Sequence, residues 1–162
     1  MKVNKEVFDF LNKQPRYSVI TGDNCSYSGT YELYHTLEEA QKEYNDFDVM
    51  SFPPYQYEKN YWMNNKDGRE AELRIWEEIP LSDLEELNDC ETEEDMEEVL
   101  HECDPYHTWS RRIETKLSYL SNDWDDDLQE YKIKSNTFAG SYYGTYFGSK
   151  PNMIQLKDIT HE

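Results

Sequence analysis

The sequence predicts an α+β fold: a small antiparallel sheet made of hairpins, helices packed on it, and an acidic helical segment in the second half. Segments 4–11, 36–44 and 92–103 place apolar residues at helical spacing behind residues that cap helices. Segments 16–21, 30–35 and 70–79 read as strands, set apart by residues that favour turns. Mean hydropathy is low, at -1.04, but 15% of the residues are aromatic and fourteen are Tyr. A disordered acidic chain is poor in aromatics, so this composition predicts a folded one.

Asn4 is expected to cap a short helix with Val7, Phe8 and Leu11 on one stripe, ended by Pro15. "RYSVIT" (16–21) and "TYELYH" (30–35) flank the turn-rich "GDNCSYSG" and form a predicted hairpin. Thr36 and Glu39 have the spacing of a capping box, with Leu37, Ala40 and Tyr44 as the buried stripe that follows. "FPPYQ" (52–56) breaks the pattern, and "NNKDGR" puts an Asp-Gly turn between strands at 57–63 and 70–79. In the second strand Ala71, Leu73, Ile75 and Ile79 share a face, interrupted by Glu77.

Pro80 divides the chain into an α+β part, 1–80, and an acidic helical segment with a C-terminal β hairpin, 81–162. The two are expected to share one core. Ser82 and Glu85 suggest a second capping box, and Thr92 caps "EEDMEEVLHEC". Met96, Val99, Leu100 and Cys103 give that helix an apolar face, with Glu94, Glu98 and Glu102 opposite. "HTWSRRIETKLSYL" reads as a further helix, with Trp109, Ile113, Leu117 and Leu120 inward and Arg111, Arg112 and Lys116 placed to pair with the acidic helix. "LQEYKIKSN" reads as a strand, "FAGSYYGTYFGS" as a hairpin or loop, and "MIQLKDI" as a last short strand.

The formal net charge is -19, from 35 acids and 16 bases. Residues 83–104 alone carry twelve carboxylates and no Lys or Arg. Such a field repels nucleic acid and anionic membranes and favours a basic protein surface. The contact residues expected on this ground are Glu91, Glu94, Asp95, Glu98 and Glu102 on the helix. Asp123, Asp125, Asp126 and Asp127 form a second acidic knot, and Tyr142 and Tyr143 lie in the Gly- and Tyr-rich stretch. Like charges at i, i+4 destabilise a helix by roughly 0.2–0.5 kcal/mol per pair. Glu94, Glu98 and Glu102 accept that cost twice, at a spacing broadly similar to that of successive phosphates. The plain alternative is a solvated helix face.

Other chemistry finds little support. Asp123, Asp125 and Asp127 alternate like the start of a calcium loop, but Leu128 stands where its glycine belongs and Lys134 where its closing Glu belongs. Cys90, His101, Cys103 and His107 match no common zinc spacing, and Cys103 falls on an apolar helix face, which fits a buried thiol better. No nucleophile, zinc-protease or phosphate-loop motif occurs, so neither a catalytic residue nor a cofactor is expected. "SYYGTYFG" lacks the bases that accompany base-stacking platforms and suits a partner-binding loop or a tight hairpin. Three cysteines at unpaired spacing, no apolar leader and no membrane-length segment predict a cytoplasmic protein.

In size, acidity, Tyr content and the runs at 83–104 and 123–127, the chain resembles the acidic DNA-mimic antidefence proteins of phages and mobile elements, the anti-restriction proteins and some anti-CRISPR inhibitors. The likeness is one of composition and assigns no residue a role. It implies a non-catalytic inhibitor that occupies the basic nucleic-acid-binding surface of a nuclease or similar enzyme. An immunity protein against a nuclease toxin, a small enzyme with an unrecognised site, and an acidic accessory protein are the alternatives.

Overall fold

The computed structural model describes residues 1–23, 31–50, 69–139 and 151–162. They form an α+β fold around an antiparallel sheet in the order β3-β2-β4-β6-β7. The strands are β2 (Tyr17–Asp23), β3 (Tyr31–Tyr34), β4 (Arg69–Trp76), β6 (Ser110–Asp125) and β7 (Glu130–Ala139). Two small ladders complete the sheets. β1 (Lys2–Val3) runs parallel to β9 (Thr160–His161), and β5 (Glu78–Pro80) pairs with β8 (Met153–Gln155). The helices are α1 (Lys5–Lys13), α2 (Leu37–Asp46), α3 (Leu81–Asn88), α4 (Glu93–Cys103) and α5 (Pro105–Thr108), with a 3-10 turn at Leu156–Asp158. No helix among the described residues is long and apolar enough to cross a membrane.

Directly opposed residues of an antiparallel pair share a face. The register therefore puts Val19, Ala71 and Leu73 on one face of the sheet, where α2 covers them with Ala40 and Tyr44. Leu37 points away and is exposed, a correction to the expected stripe. Thr36 does cap α2, accepting from the Glu39 amide at 3.2 Å. The opposite face carries Ser18, Glu72, Arg74, Trp76, Ser110 and Thr115. At its Trp76 end the larger core begins. Val7, Phe10 and Leu11 of α1, Leu84 and Leu87 of α3, Met96 and Leu100 of α4, Tyr106, Ile79 and Ile159 close around the indole. Residues from both sides of Pro80 thus share this core, and β4 pairs with β2 on one edge and β6 on the other.

Several local expectations change. Asn4 precedes α1 but makes no side-chain cap; its backbone and side-chain amides donate to Asn88 Oδ1 and O at the end of α3, at 2.8 and 3.2 Å. Helix α3 starts at Leu81, not behind Ser82. Pro80 fixes the entry, and the Leu81 amide donates to Asn152 O at 2.8 Å. Ile79 belongs to β5, beyond the break at Glu77, and packs in the larger core away from Ala71 and Leu73.

The largest change is the expected helix at 107–120, most of which is strand β6. The register explains the misreading. Leu73 pairs with Glu114 and Arg74 with Arg112, so a bulge at Ile113 shifts the alternation by one residue. Ser110 and Arg112 share a face before the bulge, and Thr115 and Leu117 continue it afterwards. A period of two broken in mid-strand mimics a helical stripe through Trp109, Ile113 and Leu117. Strand β7 stands where "LQEYKIKSN" predicts it, and β8 opens the last predicted strand before the 3-10 turn. The Asp-Gly turn, the strand at 57–63 and the Gly- and Tyr-rich stretch at 140–150 lie outside the described residues.

Candidate functional site: an acidic helix and the groove beside it

Helix α4 forms because Thr92 accepts from the Asp95 amide at 3.1 Å, Glu93, Glu94 and Asp95 meet the positive end of the dipole, and Met96 and Leu100 bury one stripe. The opposite side is solvent. Glu91, Glu94, Asp95, Glu98 and Glu102 are all exposed, and their carboxylates hold no ion pair or hydrogen bond among the described residues. Lys13 of α1 pairs with Glu93 at 2.6 Å, one position before the ridge. With about 1.5 Å of rise per residue, Glu94, Glu98 and Glu102 form a row about 12 Å long.

The bases expected to neutralise this row are elsewhere. Because 110–125 is a strand, Arg111 pairs with Glu77 at 3.0 Å and Arg112 with Glu72 at 3.1 Å, while the Lys116 ammonium lies 4.6 Å from the Tyr44 ring centroid. The pairing of these bases with the acidic helix that the sequence suggests does not form.

The second acidic knot sits at the β6–β7 turn. Asp125 builds that turn: its Oδ1 accepts from the Asp127 and Leu128 amides at 2.9 and 3.0 Å. Asp126 and Asp127 are exposed at the tip, and Asp123 lies on β6. The structure does not bring this knot to the helix. Strand β6 leaves the α4–α5 end at Ser110 and runs to Asp125, against partner strands that advance twelve positions in its register; at about 3.3 Å each that is on the order of 40 Å. Tyr142 and Tyr143 lie outside the described residues.

The thiol and imidazole groups do not gather either. Among the described residues no three His, Cys, Asp or Glu side chains are placed to hold a metal. Burial, then the Asp83 carboxylate to which it donates, pushes the Cys103 thiol up to about 12. Cys90 donates to Glu86 O at 3.4 Å and is also raised, by burial first and then by nearby carboxylates. His107 Nδ1 lies 3.0 Å from Asp104, whereas His101 is exposed on α4. A raised thiol is protonated at neutral pH and a poor nucleophile or ligand. Cys25 lies outside the described residues.

Two features carry no signal in the linear sequence. The first is a buried ion cluster on the sheet face. Glu72 and Arg74, 7% and 6% exposed, are 2.7 Å apart, and Arg112 binds the other Glu72 oxygen. Arg74 Nη1 also donates to the Ser110 hydroxyl at 3.2 Å and reaches the Ser110 and His107 carbonyls. With its donors so committed, Arg74 braces α5 against the sheet and is not available to a ligand. The second is a groove of about 260 Å³ where α1, β3 and α4 meet the α4–α5 junction, lined by Tyr31, Leu33, Leu100 and Tyr106, with Glu97 and Asp104 beside them. Another, of about 280 Å³, lies between β2, β3 and α2 and includes Tyr34, Glu32, Glu43 and Asp46.

These features define an α+β fold whose helix α4 presents a row of exposed carboxylates. Comparison of the chain with protein families, curated proteins and solved structures finds no match.

Proposed function

We propose that this chain is a non-catalytic acidic binding protein that inhibits a nucleic-acid-processing enzyme by occupying its basic nucleic-acid-binding surface. The observation that carries the reading is the division of charge. Arg74, Arg111 and Arg112 are engaged by Glu72 and Glu77 within the fold. The carboxylates of Glu91, Glu94, Asp95, Glu98 and Glu102 stand in solvent without cationic partners among the described residues. A row of like charges raises the energy of its own helix, so a cationic partner that neutralises it relieves repulsion as well as gaining contact. On this reading α4 is the main contact and the β6–β7 tip a separate one, and long-range attraction makes association fast and sensitive to salt.

The test is affinity capture on the immobilised protein from a cytosolic extract, with elution by duplex DNA. A captured nuclease or nucleic-acid-binding protein that DNA displaces, and whose activity the soluble protein suppresses, supports the decoy. If nothing retained at low salt is displaced by DNA, the ridge is a solvated face and the proposal fails.

A further inference from the structure

The groove beside α4 has a more specific chemistry than the ridge. Glu97, Leu100, His101 and Asp104 follow i, i+3, i+4, i+7 and line one side of it. Tyr31 closes the other side. Its ring packs edge-on against His107 at 4.4 Å between centroids and lies 5.8 Å from that of Tyr106, and its hydroxyl donates to Asp104 at 3.3 Å. Leu33, 39% exposed, stands on the same wall. The result is a short aromatic and aliphatic slot bordered by two carboxylates.

We infer that this slot takes an arginine side chain of the protein partner, an inference that rests on the acidic-binder reading and names the group the site would grip. Each alternative occupant conflicts with the lining. An anion would meet Glu97 and Asp104. Asp104 already holds Tyr31 and His107, but a purely apolar side chain would desolvate Glu97, whose carboxylate has no ion pair among the described residues, without pairing it. A hard metal ion needs six or more oxygen ligands, and most of the lining residues are aromatic or aliphatic. At about 260 Å³ the groove has room for one long side chain. Arginine satisfies all the walls: its aliphatic stem lies along Leu33 and Leu100, its planar head stacks on Tyr31, and its N–H groups reach Glu97 and Asp104. Arginine is also the residue with which nucleic-acid-binding proteins hold phosphate and guanine, so the slot would engage a group that the nucleic acid itself needs.

The experiment is an NMR titration of the intact protein with N-acetyl-arginine amide at low salt, using N-acetyl-citrulline amide as the uncharged isostere. Saturable shifts should centre on Tyr31, Leu33, Leu100 and Tyr106 with arginine and be absent with citrulline. Glu97→Gln should weaken arginine binding at least fivefold, and Leu33→Lys, which sets a cation at the mouth, should abolish it. Glu38→Gln removes the same charge from α2 and should stay within twofold of the parent. Shifts that never saturate, or equal effects of Glu97→Gln and Glu38→Gln, mean diffuse charge attraction and overturn the inference. The titration reads the slot alone, whereas capture and displacement by DNA read the whole acidic surface. A silent slot with capture intact removes only this inference; a saturable slot with capture lost removes only the decoy reading.

Discussion

Asp83 and Cys103 lie twenty positions apart on neighbouring helices, yet each contributes to the other's shift. Burial raises both the carboxyl and the thiol, and the thiol, pushed to about 12, donates to the carboxylate. A group whose folded pKa lies above its unfolded value stabilises the fold below the unfolded value, and that contribution is lost as pH rises toward the folded one. For Cys103 the window runs from about 9 to about 12. Urea unfolding should therefore show stability falling across this range in the parent and less steeply in Cys103→Ala; parallel pH profiles would mean that the thiol is not held as described. Arg74 offers a larger effect. Removing one partner of a buried pair typically costs about 3–5 kcal/mol when the other charge is left alone; Glu72 keeps Arg112 at 3.1 Å, so Arg74→Met should lose about 1–3 kcal/mol in the same assay, and a loss below about 1 kcal/mol would show that Arg112 alone satisfies Glu72. The sequence places Cys103 on a buried helix face through the spacing from Met96, because that information is local. It is silent on Asp83 and on the Glu72–Arg74–Arg112 cluster, because those partners meet only through helix packing and strand register.

Element by element, legibility follows the range of the forces involved. Helices α2 and α4 are readable because Thr36 and Thr92 cap them and their stripes obey one period throughout. Strand β6 is not, because the bulge at Ile113 resets its alternation and its register is dictated by β4, more than thirty residues earlier. The same strand register gives Arg111 and Arg112 to Glu77 and Glu72, so the ridge of α4 is more exposed than the sequence suggests. Of the candidate site, the ridge was legible because it lies on one helix. The slot was not, because Phe10, Tyr31, Glu97 and Tyr106 come from four separate pieces of chain. The ridge carries a prediction that a merely solvated face would not fully share. Replacing Glu98 and Glu102 by Gln removes both i, i+4 repulsions, at roughly 0.2–0.5 kcal/mol each, and leaves Glu94 at the favourable end of the dipole. The double variant should therefore be more stable than the parent by about 0.4–1 kcal/mol in denaturant titrations while losing affinity for a DNA-displaceable partner. Gain of stability with affinity unchanged would remove α4 from the contact.

Across the whole molecule the two acidic groups sit at separate places, one on α4 and one at the β6–β7 tip, with the length of β6 between them. At low ionic strength this distance does not isolate them. The screening length is about 30 Å at 0.01 M salt and about 8 Å at 0.15 M, so a chain of net charge -19 feels its own field across most of its width in the first case and only locally in the second. Added salt should therefore act in opposite directions on folding and on binding. Self-repulsion within the folded state weakens, and the half-buried Arg111–Glu77 pair and the buried Glu72 cluster are screened much less than surface charges. Raising NaCl from 10 to 150 mM should increase the melting temperature; a gain of about 1 kcal/mol appears as roughly 2–4 °C in a chain of this size. The same change should slow association with a basic partner, because steering depends on the unscreened field. Thermal melts and stopped-flow association rates at the two salt concentrations check both halves. A melting temperature that rises while the association rate is unchanged would mean that the field loads the fold without guiding a partner to it, and the acidic surface would then be a solubility device.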